Sequence, residues 1–251
     1  HNVDDGWDLY AKVETGPIGA TLLDNCITYA NGTKLDGTGQ GDGNGFKMGG
    51  DGINVPHILR NSISWGNGVN GITCNSNPGL KLEHVTSFGN GKYNVTLYGK
   101  GNAEAYPRTF ETTGVLSIDG GAGDDIAEVK KHNPEQVADS TNFFYNGAKG
   151  VNSEGTQLDK SVFVSVDIAK WQNGYNADGT FNRIPRSADG VFDLGDLFKK
   201  ASGAPKTGAD YNATKFALPS SSGSSVPVVP VVIVLVVIAC AACFAATRKK
   251  K

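Results

Sequence analysis

The sequence has few of the residues that usually mark a site by their spacing. Its 251 residues include one Met, four His and four Cys, and only 19% are charged. Cys26 and Cys74 stand alone in strand-like runs without the CxxC spacing of a metal site, and Cys240 and Cys243 fall in an apolar stretch. No disulfide scaffold is expected, and Cys26 and Cys74 read as reduced, buried and structural. His57, His84 and His132 share no interval that suggests a metal centre or a triad. A basic excess is also missing. The formal charge is −2, and without Arg248, Lys249, Lys250 and Lys251 the body carries 19 basic against 25 acidic residues. That balance argues against nucleic acid as a partner. The chain opens on HNVDDGWDLY with no charged-then-apolar leader, which reads as the interior of a folded domain whose upstream part is missing.

Glycine is the residue in excess. The 34 glycines follow no Gly-X-Y period and accompany 39% hydrophobic residues, which excludes collagen and disorder. Many short strands joined by glycine-rich turns remain. Only one long apolar run exists: residues 226–246 carry no charge and precede Thr247 and four cations. At 1.5 Å per residue such a run spans about 30 Å, the thickness of a bilayer core. The basic cluster would place the C-terminus in the cytoplasm and the body outside. LPSSSG at 218–223 departs from a cell-wall sorting signal by an extra residue and a missing threonine, so direct anchoring is expected. The organisation is then a body over 1–216, a Ser/Gly/Pro linker over 217–225, a transmembrane anchor over 226–247 and a basic tail over 248–251.

The body repeats. Residues 59–68 read LRNSISWGNG and 82–91 read LEHVTSFGNG, an offset of 23; 23–32 read LDNCITYANG, 36 residues before the first. The longer interval is absorbed by TKLDGTGQGDG at 33–43. A second triplet recurs as Trp7-Asp8-Leu9, Phe46-Lys47-Met48, Ile72-Thr73-Cys74 and Val95-Thr96-Leu97. Its apolar–polar–apolar pattern is that of a strand with one buried face. Trp7, Phe46, Ile72 and Val95 are expected to stack inside, with Leu9, Met48, Cys74 and Leu97 beside them and the middle residues outside. Asn31, Asn67 and Asn90 recur at one turn, where left-handed backbone and local hydrogen bonds are expected. Tyr29, Trp65 and Phe88 form an aromatic column read as coil packing. One coil per repeat with parallel strands is a right-handed parallel β-helix solenoid, all-β. Residues 124–138 read as a helical insertion interrupted before Pro134, residues 142–167 as strand, and residues 189–200 as a terminal helix over the open end of the stack.

The register makes Asp8 and Lys47 outward neighbours about 4.8 Å apart on consecutive coils. Asp4 and Asp5 lie just upstream. Three carboxylates so close repel one another unless protons or a cation intervene, and an oxygen cluster of irregular geometry suits Ca²⁺. A cation beside an exposed Lys47 would favour its neutral amine, which can take a proton.

DDGWDLYAK at 4–12, GDGNGFKMGG at 41–50 and the NSISWGN turn closely resemble the ninth polysaccharide lyase family, secreted pectate lyases with a right-handed parallel β-helix. FVSVD at 163–167 and RSADG at 186–190 extend the resemblance over most of residues 1–200. It implies Asp4, Asp5 and Asp8 as ligands of a catalytic Ca²⁺, and Lys47 as the base. It also implies α-1,4-linked galacturonate, an acidic polysaccharide, as substrate, cleaved by β-elimination after removal of the C5 proton. The family's site takes a further aspartate from an earlier coil; no position before His1 supplies it, so weak Ca²⁺ binding is expected. Two other readings stay open at this point. One is a non-catalytic surface β-helix that binds polysaccharide or adheres; the other is the same chemistry on another uronic acid polymer.

Overall fold

In the computed structural model the described residues are 2–15, 18–34, 36–99, 108–132, 134–172, 176–180, 182–188 and 192–210. They fall within one compact unit, His1–Phe216. The predicted anchor and tail lie outside the described residues. Among those described, no helix is long and apolar enough to cross a membrane.

Four coils stack in register. Each contributes one strand to each of three parallel sheets. The first sheet holds β1 (Trp7–Asp8), β4 (Phe46–Lys47), β7 (Ile72–Thr73) and β10 (Val95–Thr96). The second holds β2 (Leu22–Asp24), β5 (Ile58–Arg60), β8 (Lys81–Glu83) and β11 (Glu111–Thr113). The third holds β3 (Ile27–Tyr29), β6 (Ile63–Trp65), β9 (Thr86–Phe88) and β12 (Leu116–Ile118). The pairing is the one the repeats predict: Trp7 meets Phe46, Asp8 meets Lys47, Phe46 meets Ile72 and Ile72 meets Val95. Phe46, Ile72, Val95, Met48, Cys74 and Leu97 are fully buried. Trp7 departs from the expectation and is 39% exposed. β1 is the terminal strand of its sheet, so only one neighbouring strand covers that side chain.

The turn asparagines bond locally, as expected, and also between coils. Asn31 Nδ2 donates to Asn67 Oδ1 at 2.7 Å, Asn67 Nδ2 to Asn90 Oδ1 at 2.8 Å, and Asn90 Nδ2 to Asn94 Oδ1 at 2.9 Å. Each also donates to the hydroxyl three residues earlier, on Thr28, Ser64 or Ser87. All are buried, so each coil is tied to the next through its interior. Left-handed backbone falls one residue earlier than expected, at Ala30, Gly66 and Gly89, with φ of 51°, 57° and 59°. This aims each asparagine inward.

The upper edge of the first sheet needs acceptors for the N–H groups of Asn94 and Val95. In the coil below, Gly71 N donates to Tyr93 O and Ile72 N to Asn94 O. At the edge the Asp125 carboxylate takes both roles, accepting from Asn94 N at 3.1 Å and Val95 N at 3.0 Å, and from Ser117 Oγ at 2.5 Å. Asp125 begins helix α1 (Asp125–His132), which with α2 (Pro134–Ala138) covers the predicted helical segment, while the predicted interruption before Pro134 lies outside the described residues. Val129 of α1 joins the core. The segment therefore closes the first sheet.

Residues 142–167 contribute short antiparallel strands β13 (Phe144–Tyr145), β14 (Gly150–Val151) and β15 (Gln157–Leu158), and FVSVD makes only isolated bridges at Phe163 and Ser165. Among the described residues of 189–200 there is no helix, which corrects the sequence reading. The chain there runs along the outward face of the third sheet, because that face is apolar. Phe198, at φ 56°, places its ring 5.4 Å from those of Trp65, Phe88 and Phe163. Tyr29 stacks on Trp65 at 4.8 Å, so the aromatic column is packing, as expected. Neither Cys26 nor Cys74 forms a disulfide, and burial pushes the Cys74 thiol up to about 12.

Burial raises the Asp125 carboxyl to about 7, against the hydrogen bonds from Ser117, Val95 and Asn94 that lower it. A carboxyl raised above its unfolded value of about 3.9 favours the fold most at low pH. That contribution declines as pH rises from about 4 to 7. Asp125→Asn lacks the titration and turns an amide donor toward one of the two backbone N–H groups. Urea denaturation should therefore find the variant less stable, with the gap to wild type narrowing from pH 5 to pH 8.

Candidate active site

The outward side of β1 and β4 gathers the charged residues. Lys47 Nζ lies 3.0 Å from Asp5 Oδ2, 3.0 Å from Asp42 Oδ2 and 3.5 Å from Asp8 Oδ2. The Tyr10 ring lies beneath it, with its centroid at 5.3 Å. The lysine is thus only 9% exposed, whereas the sequence reading had it open on the sheet. Burial draws its pKa down, but hydrogen bonds to Asp42 and Asp5 and the charges of Asp5 and Asp8 raise it above the ordinary lysine range. In this arrangement Lys47 is an ammonium ion serving as counter-charge to three carboxylates.

The acidic residues fall into two positions. Asp4, Asp5 and Asp42 bring carboxylate oxygens within 4.8 Å of one another. Asp8 stands outside that trio, beside Lys47, with Oδ1 accepting from Tyr10 N at 2.8 Å. Asp42 was missed in the sequence although the register could have found it. The offset that pairs Asp8 with Lys47 sets Asp42 next to Val3 and Asp4, and Asp42 N donates to Asp4 Oδ1 at 2.7 Å.

Asp5 is held most firmly. It is 7% exposed, and its Oδ1 accepts from both the backbone N and Nδ2 of Asn44, each at 2.8 Å. Asn44 Oδ1 in turn accepts from Asn70 Nδ2 at 2.8 Å. Three coils therefore fix one carboxylate, leaving Oδ2 to face Lys47 as its ion-pair partner. Three hard oxygen donors, one of them buried and aimed into the gap, are a donor set that fits Ca²⁺.

Residues 1–105 match the family described as Pel9A-like, right handed beta helix region. Pectate lyase L of Thermoclostridium stercorarium is 40% identical over 167 residues, 65% of this chain and 13% of the relative. Pectate lyase L of Paenibacillus polymyxa is 39% identical over 212 residues, 83% of this chain and 41% of the relative. The solved structure of pectate lyase Pel9A aligns at a TM-score of 0.46 with 23% identity, over 80% of this chain and 42% of that one. The chain is similar in sequence to these pectate lyases, and it spans less than half the length of each of these relatives.

Removing the lysine should expose how much it neutralises. Lys47→Met leaves the Asp5 carboxylate buried beside no cation, which should cost about 1–3 kcal/mol in urea denaturation with chelator present. Lys47→Met combined with Asp5→Asn should recover most of that loss. Equal stability of wild type and Lys47→Met would show that the ion pairs contribute nothing.

Proposed function

We propose that this chain is a polysaccharide lyase that cleaves α-1,4-linked galacturonan by β-elimination, with Lys47 as the base. The observation that carries the reading is Lys47 set among Asp5, Asp8 and Asp42 on the outward face of the matched β-helix region. The naming of two relatives as pectate lyase L supports the substrate class.

Asp4, Asp5 and Asp42 would hold Ca²⁺, with Asp8 at their side. Ca²⁺ bound there supplies charge that screens the substrate carboxylate and the negative charge developing at C5. The chain's own residues do the rest. Asn44 keeps Asp5 in one orientation, and Asp8, tied to Tyr10 N, borders the amine. Lys47 Nζ accepts the C5 proton in its neutral form. That form is disfavoured while the amine pairs with three carboxylates, so the carboxylates must be engaged elsewhere before the lysine can serve as base. Loss of the C5 proton and breakage of the C4–O bond form the C4–C5 double bond of an unsaturated uronate, and the departing oxygen takes a proton from solvent to become the hydroxyl of the new chain end. No hydrolytic water is needed, which separates this chemistry from that of paired-carboxylate glycosidases.

The proposal extends to location. The uncharged run 226–246 followed by Arg248–Lys251 supports a body tethered outside the membrane. Protease added to intact cells should then release a soluble fragment of about residues 1–216. A protected body with a cleaved tail would reverse the orientation.

The chemical test is formation of unsaturated product from polygalacturonate. Lys47→Arg should lower turnover by about 10²–10⁴, since a guanidinium stays protonated at working pH. The wild-type rate should rise toward alkaline pH as the lysine loses its proton. Chelation should abolish activity, and Ca²⁺ should restore it better than Mg²⁺. Near wild-type turnover of folded Lys47→Arg would remove the lysine as base. Binding of the polymer without cleavage under every metal condition would leave a surface polysaccharide binder instead.

A further inference from the structure

The segment 192–210 does more than cover the third sheet. Its first part pairs with residues 162–165, where Val164 N donates to Lys199 O, Phe198 N to Ser165 O and Ala201 N to Val162 O. Its last part crosses the coils instead of joining one. Thr207 Oγ1 lies 3.2 Å from Val115 O and 3.0 Å from Thr141 O, and Gly208 N donates to Gly114 O at 2.7 Å. Ala209 N then donates to Thr86 Oγ1 at 2.9 Å, and Asp210 N to Asn61 Oδ1 at 2.8 Å. Asn61, Thr86 and Gly114 belong to the second, third and fourth coils. A few consecutive residues thus strap three coils together.

One side chain is costly to hold under that strap. Lys200 Nζ is fully buried and has no hydrogen-bond partner. It lies 4.7 Å from the centroid of the Phe163 ring. Gly208, at φ 72°, closes over it: a Cβ there would meet Thr86 Oγ1 at 2.6 Å, Leu116 Cβ at 2.8 Å and Lys200 Nζ at 3.0 Å. From β9, β12 and residue 163 the amine therefore faces a hydroxyl, an aliphatic chain and a phenyl ring, none of which titrates. Among the described residues the charge that acts on it is Asp210, at the end of the strap itself. Lys199 beside it in sequence turns to Asp196, at 3.5 Å. An ammonium in this place gives up its water and gains one aromatic face in return. Burial accordingly draws the Lys200 amine down to about 8, against the Asp210 charge that raises it.

We infer that residues 192–210 form a proton-sensitive clamp on the coil stack, locked while Lys200 is neutral and loosened when it takes a proton. Opening returns the amine to water, uncovers Trp65, Phe88 and Ile118, and frees Asn61, Thr86 and Gly114. In the open strap the lysine has its ordinary value of about 10.4, so the closed form is favoured most above that pH. It loses ground as pH falls toward 8 and loses no more below. The clamp is therefore tight in alkaline solution and loose at neutral pH. It acts on a different sheet from Lys47 and needs neither substrate nor metal, so it is independent of the lyase reading.

Hydrogen exchange on the whole chain measures the opening, with rates corrected for the intrinsic rise of amide exchange with pH. Protection over residues 207–210 should increase about tenfold from pH 7 to pH 9 in wild type. At each pH it should stay below the protection of Phe46 and Ile72 in the first sheet, because the strap opens without the coils. Lys200→Met should be as protected at pH 7 as wild type is in alkali, with no further rise. Lys200→Arg, charged throughout, should stay poorly protected at both values. A flat wild-type profile, or a rise that persists in either variant, would overturn the clamp. So would equal protection of strap and core amides, which would mean that the strap opens only when the whole fold does. Should Lys200→Met fail to fold, wild type and Lys200→Arg decide by the same criteria.

Discussion

Everything on the outward surface depends on coil standing over coil without slipping, and the buried asparagine column enforces that. In a strand of period two, a shift of one residue turns every side chain to the opposite face. The outer apolar residues of the triplets resist such a shift, but hydrophobic burial is not directional and Phe46, Ile72 and Val95 could slide against one another. Asn31, Asn67 and Asn90 cannot slide, because each amide donates both to the next coil and to a hydroxyl of its own coil. A slipped coil would leave several buried donors and acceptors without partners, at about 1–3 kcal/mol each. The interior polar ladder therefore supplies specificity, and the apolar stack supplies the driving force.

The charged site inherits that register. Asp5 and Asp8 belong to the first coil, Asp42, Asn44 and Lys47 to the second, and Asn70 to the third. No single segment contains the constellation. A nearly buried carboxylate such as Asp5 is tolerated because its two oxygens face different partners, an amide on one side and an ammonium on the other. The same division of labour recurs at Asp125, where a carboxylate stands in for the carbonyls of an absent strand. In both places an acidic side chain completes backbone structure, and only at Asp5 does one oxygen remain directed at a chemical group.

The repeat made the coils, their register and the inward triplets legible, because a recurring LxxxxSxGNG-like segment fixes both spacing and face. The helical character of residues 125–132 and 134–138 was legible as well. Lys47, Asp4, Asp5 and Asp8 were found by motif, yet their environment was not. Burial of Lys47 arises from Tyr10 and from Asp42, whose place beside Asp4 follows from a 39-residue offset rather than from local spacing. The failed terminal helix has a similar cause. Residues 192–200 carry leucine and phenylalanine at intervals that read as helical, but the third sheet turns Ile63, Trp65, Phe88 and Ile118 outward, and only the folded stack reveals that an apolar wall needs covering. Trp7 read as core because its triplet is like the others, and nothing in the triplet reports that its strand is terminal.

In the proposed reading, the pairing of Lys47 with its carboxylates is a resting arrangement and not the reactive one. An ammonium surrounded by Asp5, Asp8 and Asp42 is a poor base, because deprotonating it would leave three carboxylates facing one another without a cation. The charge deficit has to be met before the proton can leave. A divalent ion on the trio would meet it, and the same substitution would turn Oδ2 of Asp5 from lysine partner to ligand without moving Oδ1, which Asn44 holds in place. Base strength and metal occupancy are then one equilibrium, set by how the trio divides itself between Lys47 and a bound cation. Asn44 fixes the geometry on which that division depends.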